Sequence, residues 1–214
     1  SPMLHFKKVQ CVEVIVRGEV TVEEGAHVGY CPDHCEHRKP VILEDGAYIH
    51  TGAILYPGCQ VGRNSHIYHN TVLLPETIIG AHCKIGCSVV SQGWCTVEDW
   101  VTIASHCNLA PGLVIEKGAF LSIGIHMGNA LHPGGRLHPE DIRQEVLAPR
   151  IRRGARLGGG VTLNPGVIIG CEALIGSGAT VVKDVPDFAV VVGNPARVIA
   201  EVPERDRIDW SKIL

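Results

Sequence analysis

The chain has 214 residues, 45% of them hydrophobic and 19% charged, which excludes a disordered polypeptide and fits one domain. A formal charge of −3 supplies no general attraction to nucleic acid, and the apolar runs are too short to span a membrane. Aromatic residues make up only 5% beside 25 glycines and 13 prolines, so the interior is built from small and branched side chains.

No basic leader with an apolar core opens the chain, and Ser1-Pro2 ahead of Met3 reads as a cloning remnant. Nine cysteines without an export signal predict a reducing, cytoplasmic setting. A period of six then organises the sequence, first as Val16, Val22 and Val28. Residues 29–40 (GYCPDHCEHRKP) shift the register and predict an excursion loop. The period resumes at Leu43, Ile49, Leu55, Val61, Ile67 and Leu73 and runs to Leu121, broken only by Ser91. Residues 127–150 carry no repeat, which predicts a long loop that leaves the scaffold and returns in phase. Ile151, Leu157, Leu163, Ile169, Ile175 and Val181 complete the series, so 22 of 23 positions are Leu, Ile or Val. The residue four further on is small in most hexads, as a chain turning regular corners requires. Residues 187–214 contain FAVVVGNPARVI, one more strand, and PERDRIDWSKIL, a short terminal helix that would cap the open end.

This pattern resembles the hexapeptide repeat of left-handed parallel β-helices, in which about three hexads make one triangular coil. The resemblance implies an all-β solenoid over 1–186, with excursion loops at 29–40 and 127–150, and a cap over 187–214. Cys59, Cys83, Cys95 and Cys107 fall at the small position of their hexads and are expected to point inward.

Two clusters invite a metal reading. Cys31, His34, Cys35 and His37 place four ligand types within seven residues, but a second ligand pair at zinc-module spacing is absent. The γ-type carbonic anhydrases share the β-helix and hold zinc through a His-x4-His pair. His50, His66, His69, His82 and His106 offer no such spacing. No metal is expected.

The segment ARLGGGVTLNPGVIIGCEALIGSGATVVKDVPDFAVVVGNPARVI resembles the C-terminal part of hexapeptide acyltransferases, above all the galactoside, maltose and xenobiotic acetyltransferase group. VVKDVP and VGNPAR are also similar to nucleotide-amino-sugar N-acetyltransferases. The resemblance runs from His132 to Arg197 without a gap. It implies His132, in the pair His132-Pro133, as the catalytic base; His126, at the end of the last hexad before the loop, is the second choice and His106 the third. It also implies acyl-CoA contacts at Gly159, Ser177, Lys183 and Arg197, while Val182 replaces a family Thr. The implied activity is transfer of acetyl from acetyl-CoA to an amine or hydroxyl of a sugar or amino sugar, at sites between subunits of a homotrimer. The alternatives are an antibiotic-inactivating O-acetyltransferase and a γ-type zinc carbonic anhydrase. The missing N-terminal helical segment and the extra CPDHCEH loop set this chain apart from the short sugar acetyltransferases. Arg150, Arg152, Arg153 and Arg156 form a basic run that could face CoA phosphates or simply solvent.

Overall fold

The computed structural model describes residues 10–31, 38–130 and 147–212. The chain is a left-handed parallel β-helix with three flat faces. Among the described residues, the first face stacks eight strands from Val14–Arg17 to Ile168–Ile169. The second stacks ten, from Thr21–Val22 to Arg197–Glu201. The third has five strands, His27–Val28 to Asn108–Leu109, and above them His126–Met127, Thr162–Leu163 and Thr180–Val181. Most of these strands are two residues long, and each pairs in parallel with the strand one coil away.

The hexad explains this architecture. One aliphatic side chain per strand points inward, so Ile67, Ile85, Ile103, Leu121, Leu157 and Ile175 lie in register along the second face. All six are essentially solvent-free. Burying such a side chain contributes roughly 1.5–3 kcal/mol, and here the gain recurs at every corner-to-corner step. The small residues turn the corners from inside, and Cys59, Cys83, Cys95 and Cys107 are buried there as free thiols. Ser65 and Thr71 occupy the same position. Their hydroxyls donate to the carbonyls of Gly80 (2.7 Å) and Gly86 (2.6 Å) and accept from the amides of Cys83 and Val89.

Ser91, the one polar member of the aliphatic series, is fully buried. Its Oγ lies 2.6 Å from Oγ1 of Thr77, which donates to the Leu74 carbonyl at 2.8 Å, and accepts from the Gly93 amide at 3.3 Å, so both core hydroxyls are satisfied.

The corners between the third and first faces carry Pro57, Pro75, Pro111 and Pro165, which have no N–H to satisfy. At other corners that N–H is capped from a neighbouring coil: Glu98 accepts from Lys117, Glu116 from Arg153 and Asp187 from Cys171.

Both excursions depart from this ladder. Tyr30–Cys31 pairs antiparallel with Gln10–Cys11 before the chain enters residues 32–37, which lie outside the described residues. The long loop is rooted at the corner between the third and first faces. There the Leu147 amide donates to the Asn129 carbonyl at 3.0 Å, and the Leu147 carbonyl accepts from Gly166 at 2.8 Å.

After residue 186, Ala189–Val192 adds another parallel rung on Leu174–Ile175. The chain then turns through a cis Asn194–Pro195 bond and returns antiparallel as Arg197–Glu201. Beyond it, the stretch that the sequence suggests as a short helix forms two single 3-10 turns, Glu204–Asp206 and Trp210–Lys212. No helix among the described residues is long and apolar enough to cross a membrane.

Candidate functional site

The site builds on the corner between the second and third faces, in the C-terminal coils. Ser105, Ile123, Gly159 and Ser177 follow one another along this edge, and their N–H groups have no acceptor among the described residues. The next residues, Gly124, Gly160 and Gly178, carry no side chain and have positive φ. A methyl group on any of these three would meet nothing within 4 Å, so the edge is an open shelf of backbone. The stack itself is tight. The Gly178 amide donates to the Gly159 carbonyl and the Gly160 amide to the Ile123 carbonyl, at 2.8 and 2.9 Å. A Cβ on Gly158 would lie 2.6 Å from the Ser177 nitrogen, so only glycine allows this approach. Ile123, 53% exposed, gives the shelf an apolar wall against Gly159.

The same corner in the N-terminal coils is closed by side chains: Glu23 accepts from the Thr51 amide and the Ser105 hydroxyl from the Cys87 amide. Toward the C-terminus the edge exposes successive donors at Ile123, Gly159 and Ser177 that could meet amide or thioester carbonyls of an extended ligand.

His126 stands on the third face beside this shelf. It is exposed and in register with Thr162, which in turn pairs with Thr180. The shelf lies on one edge of that face, and the root of the long loop, Asn129 and Leu147, lies on the other. His106 precedes Gly124 by one coil on the shelf edge and is also exposed. His132 lies outside the described residues, as do His34, Cys35 and His37. Cys31, the described member of that cluster, is buried.

Of the four residues matched to CoA contacts, the structure brings three to one edge. Gly159 and Ser177 stack on successive coils. The turn leading to Arg197 closes over them, since Thr180 donates to the Gly193 carbonyl and accepts from the Ala196 amide. Arg197 itself is exposed, with Nη1 on the Ala196 carbonyl. Lys183 is exposed too, but it follows Thr180–Val181 at the opposite edge of the third face.

The basic run is dispersed. Arg150 pairs with Glu116 at 2.9 Å and Arg152 with Asp187 at 3.0 Å, while Arg153 lies over the Trp210 ring. Arg156 sits between Phe120 and Leu174 on the second face. Its Nε and Nη2 are shielded from solvent and lack a hydrogen-bond partner among the described residues.

The family described as "Bacterial transferase hexapeptide (six repeats)" matches residues 40–75. Galactoside O-acetyltransferase of Escherichia coli is 47% identical over 51 residues, 24% of this chain and 25% of that protein. Serine acetyltransferase 2 of Arabidopsis thaliana is 45% identical over 58 residues, 27% of this chain and 18% of that protein. The dTDP-3-amino-3,6-dideoxy-alpha-D-galactopyranose 3-N-acetyltransferase of Aneurinibacillus thermoaerophilus is 42% identical over 48 residues, 22% of this chain and 25% of that protein. The matched segments thus span a quarter or less of these relatives. Among solved structures, a polySia-specific acetyltransferase aligns with 92% of this chain and 89% of its own at 21% identity and a TM-score of 0.48. The chain therefore resembles hexapeptide-repeat acetyltransferases in its sequence repeat.

Proposed function

We propose that the protein is an acetyl-CoA-dependent acyltransferase that acetylates an amine or hydroxyl of a sugar or nucleotide-linked amino sugar. The observation that carries this reading is the bare shelf: free amides of Ile123, Gly159 and Ser177 beside Gly124, Gly160 and Gly178, next to a histidine-bearing face. A pantetheine arm is extended, narrow and rich in amide carbonyls, and it fits a side-chain-free edge with spare N–H donors. Arg197, at the turn over the shelf, would meet the nucleotide phosphates, whereas Lys183 stands at the opposite edge of the third face.

The chemistry needs a base and an oxyanion donor. His132 takes the acceptor proton as its oxygen or nitrogen attacks the thioester carbonyl; His126 is the alternative base. An imidazole with an unperturbed pKa of about 6.5 is largely neutral at cytoplasmic pH and suits this role. The tetrahedral intermediate places its negative oxygen against a shelf amide, which stabilises it without reorganisation. Collapse breaks the C–S bond, and the departing thiolate recovers the proton from the imidazolium. No covalent enzyme intermediate is needed, so the buried cysteines stay out of the reaction.

The relatives include a galactoside O-acetyltransferase and an amino-sugar 3-N-acetyltransferase, which supports a carbohydrate acceptor. A homotrimer would close the third face of one copy against the long loop of another, in the manner of cyclic assemblies. The test is thiol release from acetyl-CoA with galactosides, amino sugars, nucleotide-linked amino sugars and serine as acceptors. His132→Ala should lower kcat by ~10²- to 10⁴-fold with CoA binding retained. Unchanged turnover in His132→Ala, with loss in His126→Ala, transfers the role of base to His126. Absence of thiol release with every acceptor overturns the activity, and light scattering checks the trimer.

A further inference from the structure

The first coils carry a second chemical centre that acyl transfer leaves unused. Glu23, His50 and His69 come from three successive coils, and one ligand atom from each lies within 4.8 Å of the others. His50 Nδ1 is 3.3 Å from Glu23 Oε1, and His69 Nε2 is 3.9 Å from Glu23 Oε2. Two ligands at zinc's ordinary bond lengths of ~2.0–2.1 Å and tetrahedral angles stand ~3.4 Å apart, so the first pair is already at metal spacing.

The surroundings hold these three groups in place. The Glu23 carboxylate is anchored by the Tyr48 hydroxyl (2.8 Å), the Thr51 amide (2.8 Å) and the Thr51 hydroxyl (3.0 Å). His50 turns its other nitrogen, Nε2, to Nδ1 of His66 at 3.4 Å. His69 turns its Nδ1 to the Cys87 sulfur at 3.9 Å. Each imidazole thus has an outer partner for its second nitrogen while the first faces the carboxylate. Metal-binding histidines are held in this way, because the outer hydrogen bond selects the tautomer and orients the ring. Stacking of His50 on Tyr68, with centroids 4.7 Å apart and planes 10° from parallel, further restricts that ring.

We propose that Glu23, His50 and His69 form a mononuclear site for a borderline divalent cation of the zinc type. Two imidazoles and a carboxylate are a zinc donor set, and His69, with a side chain 51% exposed, leaves the fourth position open to water. His69 and Gly159 share one edge of the prism but stand several coils apart at ~4.8 Å per coil, so the cation is remote from the shelf. Because its ligands come from successive coils, the ion ties together the N-terminal end of the solenoid.

The test uses the full chain stripped with a chelator and titrated with Zn²⁺ against a chromophoric competitor, then with Co²⁺. The expected result is one ion per chain and a tetrahedral Co²⁺ spectrum without thiolate charge transfer. Glu23→Gln, His50→Ala and His69→Ala should each weaken binding tenfold or more, with Cys87→Ser retaining all ligands. These side chains point outward, and circular dichroism checks that each variant keeps its β-helix. A thiolate charge-transfer band in the unmodified chain overturns the assignment and moves the metal to cysteine ligands. Stoichiometry far below one, or unweakened binding in a folded His50→Ala/His69→Ala chain, overturns it as well.

Discussion

The indole Nε1 of Trp210 donates to Oε1 of Glu172 at 2.7 Å, and the other carboxylate oxygen accepts from the Ile208 amide at the same distance. Glu172 is only 4% exposed, so the carboxylate is buried but saturated. Trp210 reaches it by lying along a corner column where Gly118 and Gly154 present no side chain. A Cβ at either position would lie within 2.9 Å of the indole. The terminal segment is therefore seated on a socket built by residues far away in sequence.

Breaking that seat should be costly. Glu172→Gln leaves one of the two donors poorly matched and is expected to destabilise the fold by ~1–3 kcal/mol in urea denaturation. Gly154→Val should be worse, because it strains a positive φ and displaces the indole.

The Thr77–Ser91 pair makes a contrasting case. Ser91→Ala alone removes a partner of the Thr77 hydroxyl and the acceptor of the Gly93 amide, and should cost ~1 kcal/mol or more. The double variant Thr77→Val/Ser91→Ala removes both hydroxyls and should cost less than the sum of the two single losses. A double-mutant cycle from denaturation curves measures the difference.

The core thiols set an alkaline limit. Burial pushes Cys59 up to about 12 and Cys83 to about 11, from an ordinary value of 9.0. The unfolded chain releases these protons near pH 9 while the fold retains them. Stability from this source is fully present below pH 9 and declines as pH rises toward 11–12. Cys59→Ala/Cys83→Ala should flatten the decline in thermal melts at increasing pH. In the native protein both thiols should resist alkylation, as mass spectrometry would show.

The shelf predicts a kinetic signature. Gly178→Val places a branched side chain on the open edge and strains a φ of 70°. The KM for acetyl-CoA should rise by about tenfold, the equivalent of ~1.4 kcal/mol, with the fold intact by circular dichroism. An unchanged KM would remove the shelf from the donor site.

Much of the scaffold was readable in the sequence because one physical demand repeats. Each strand buries one aliphatic residue, so Leu43 through Val181 announce the coils directly. Cys59 and Cys83 were legible as inward residues for the same reason. Ser91 was not, because its role depends on a hydroxyl supplied from another hexad. The shelf was half visible: the resemblance picked out Gly159 and Ser177, yet the free amides emerge only once each corner's acceptors are known. His50 and His69 were set aside as metal ligands, and Glu23 was not considered, because spacing rules look along the chain. Their convergence depends on stacked coils and on the register shift at residues 29–40. The terminal WSK stretch read as a helix, but its tryptophan is committed sideways to Glu172, and single turns suffice to deliver it.

The bond between Asn129 and Leu147 closes the long excursion like a stitch at its neck. Seen from the prism, the ladder continues from Met127 to Arg150 whatever the chain does in between. Segments grafted between those feet can be lengthened, shortened or exchanged without disturbing a single rung, so this molecule can change what it reaches for while keeping the frame that holds it.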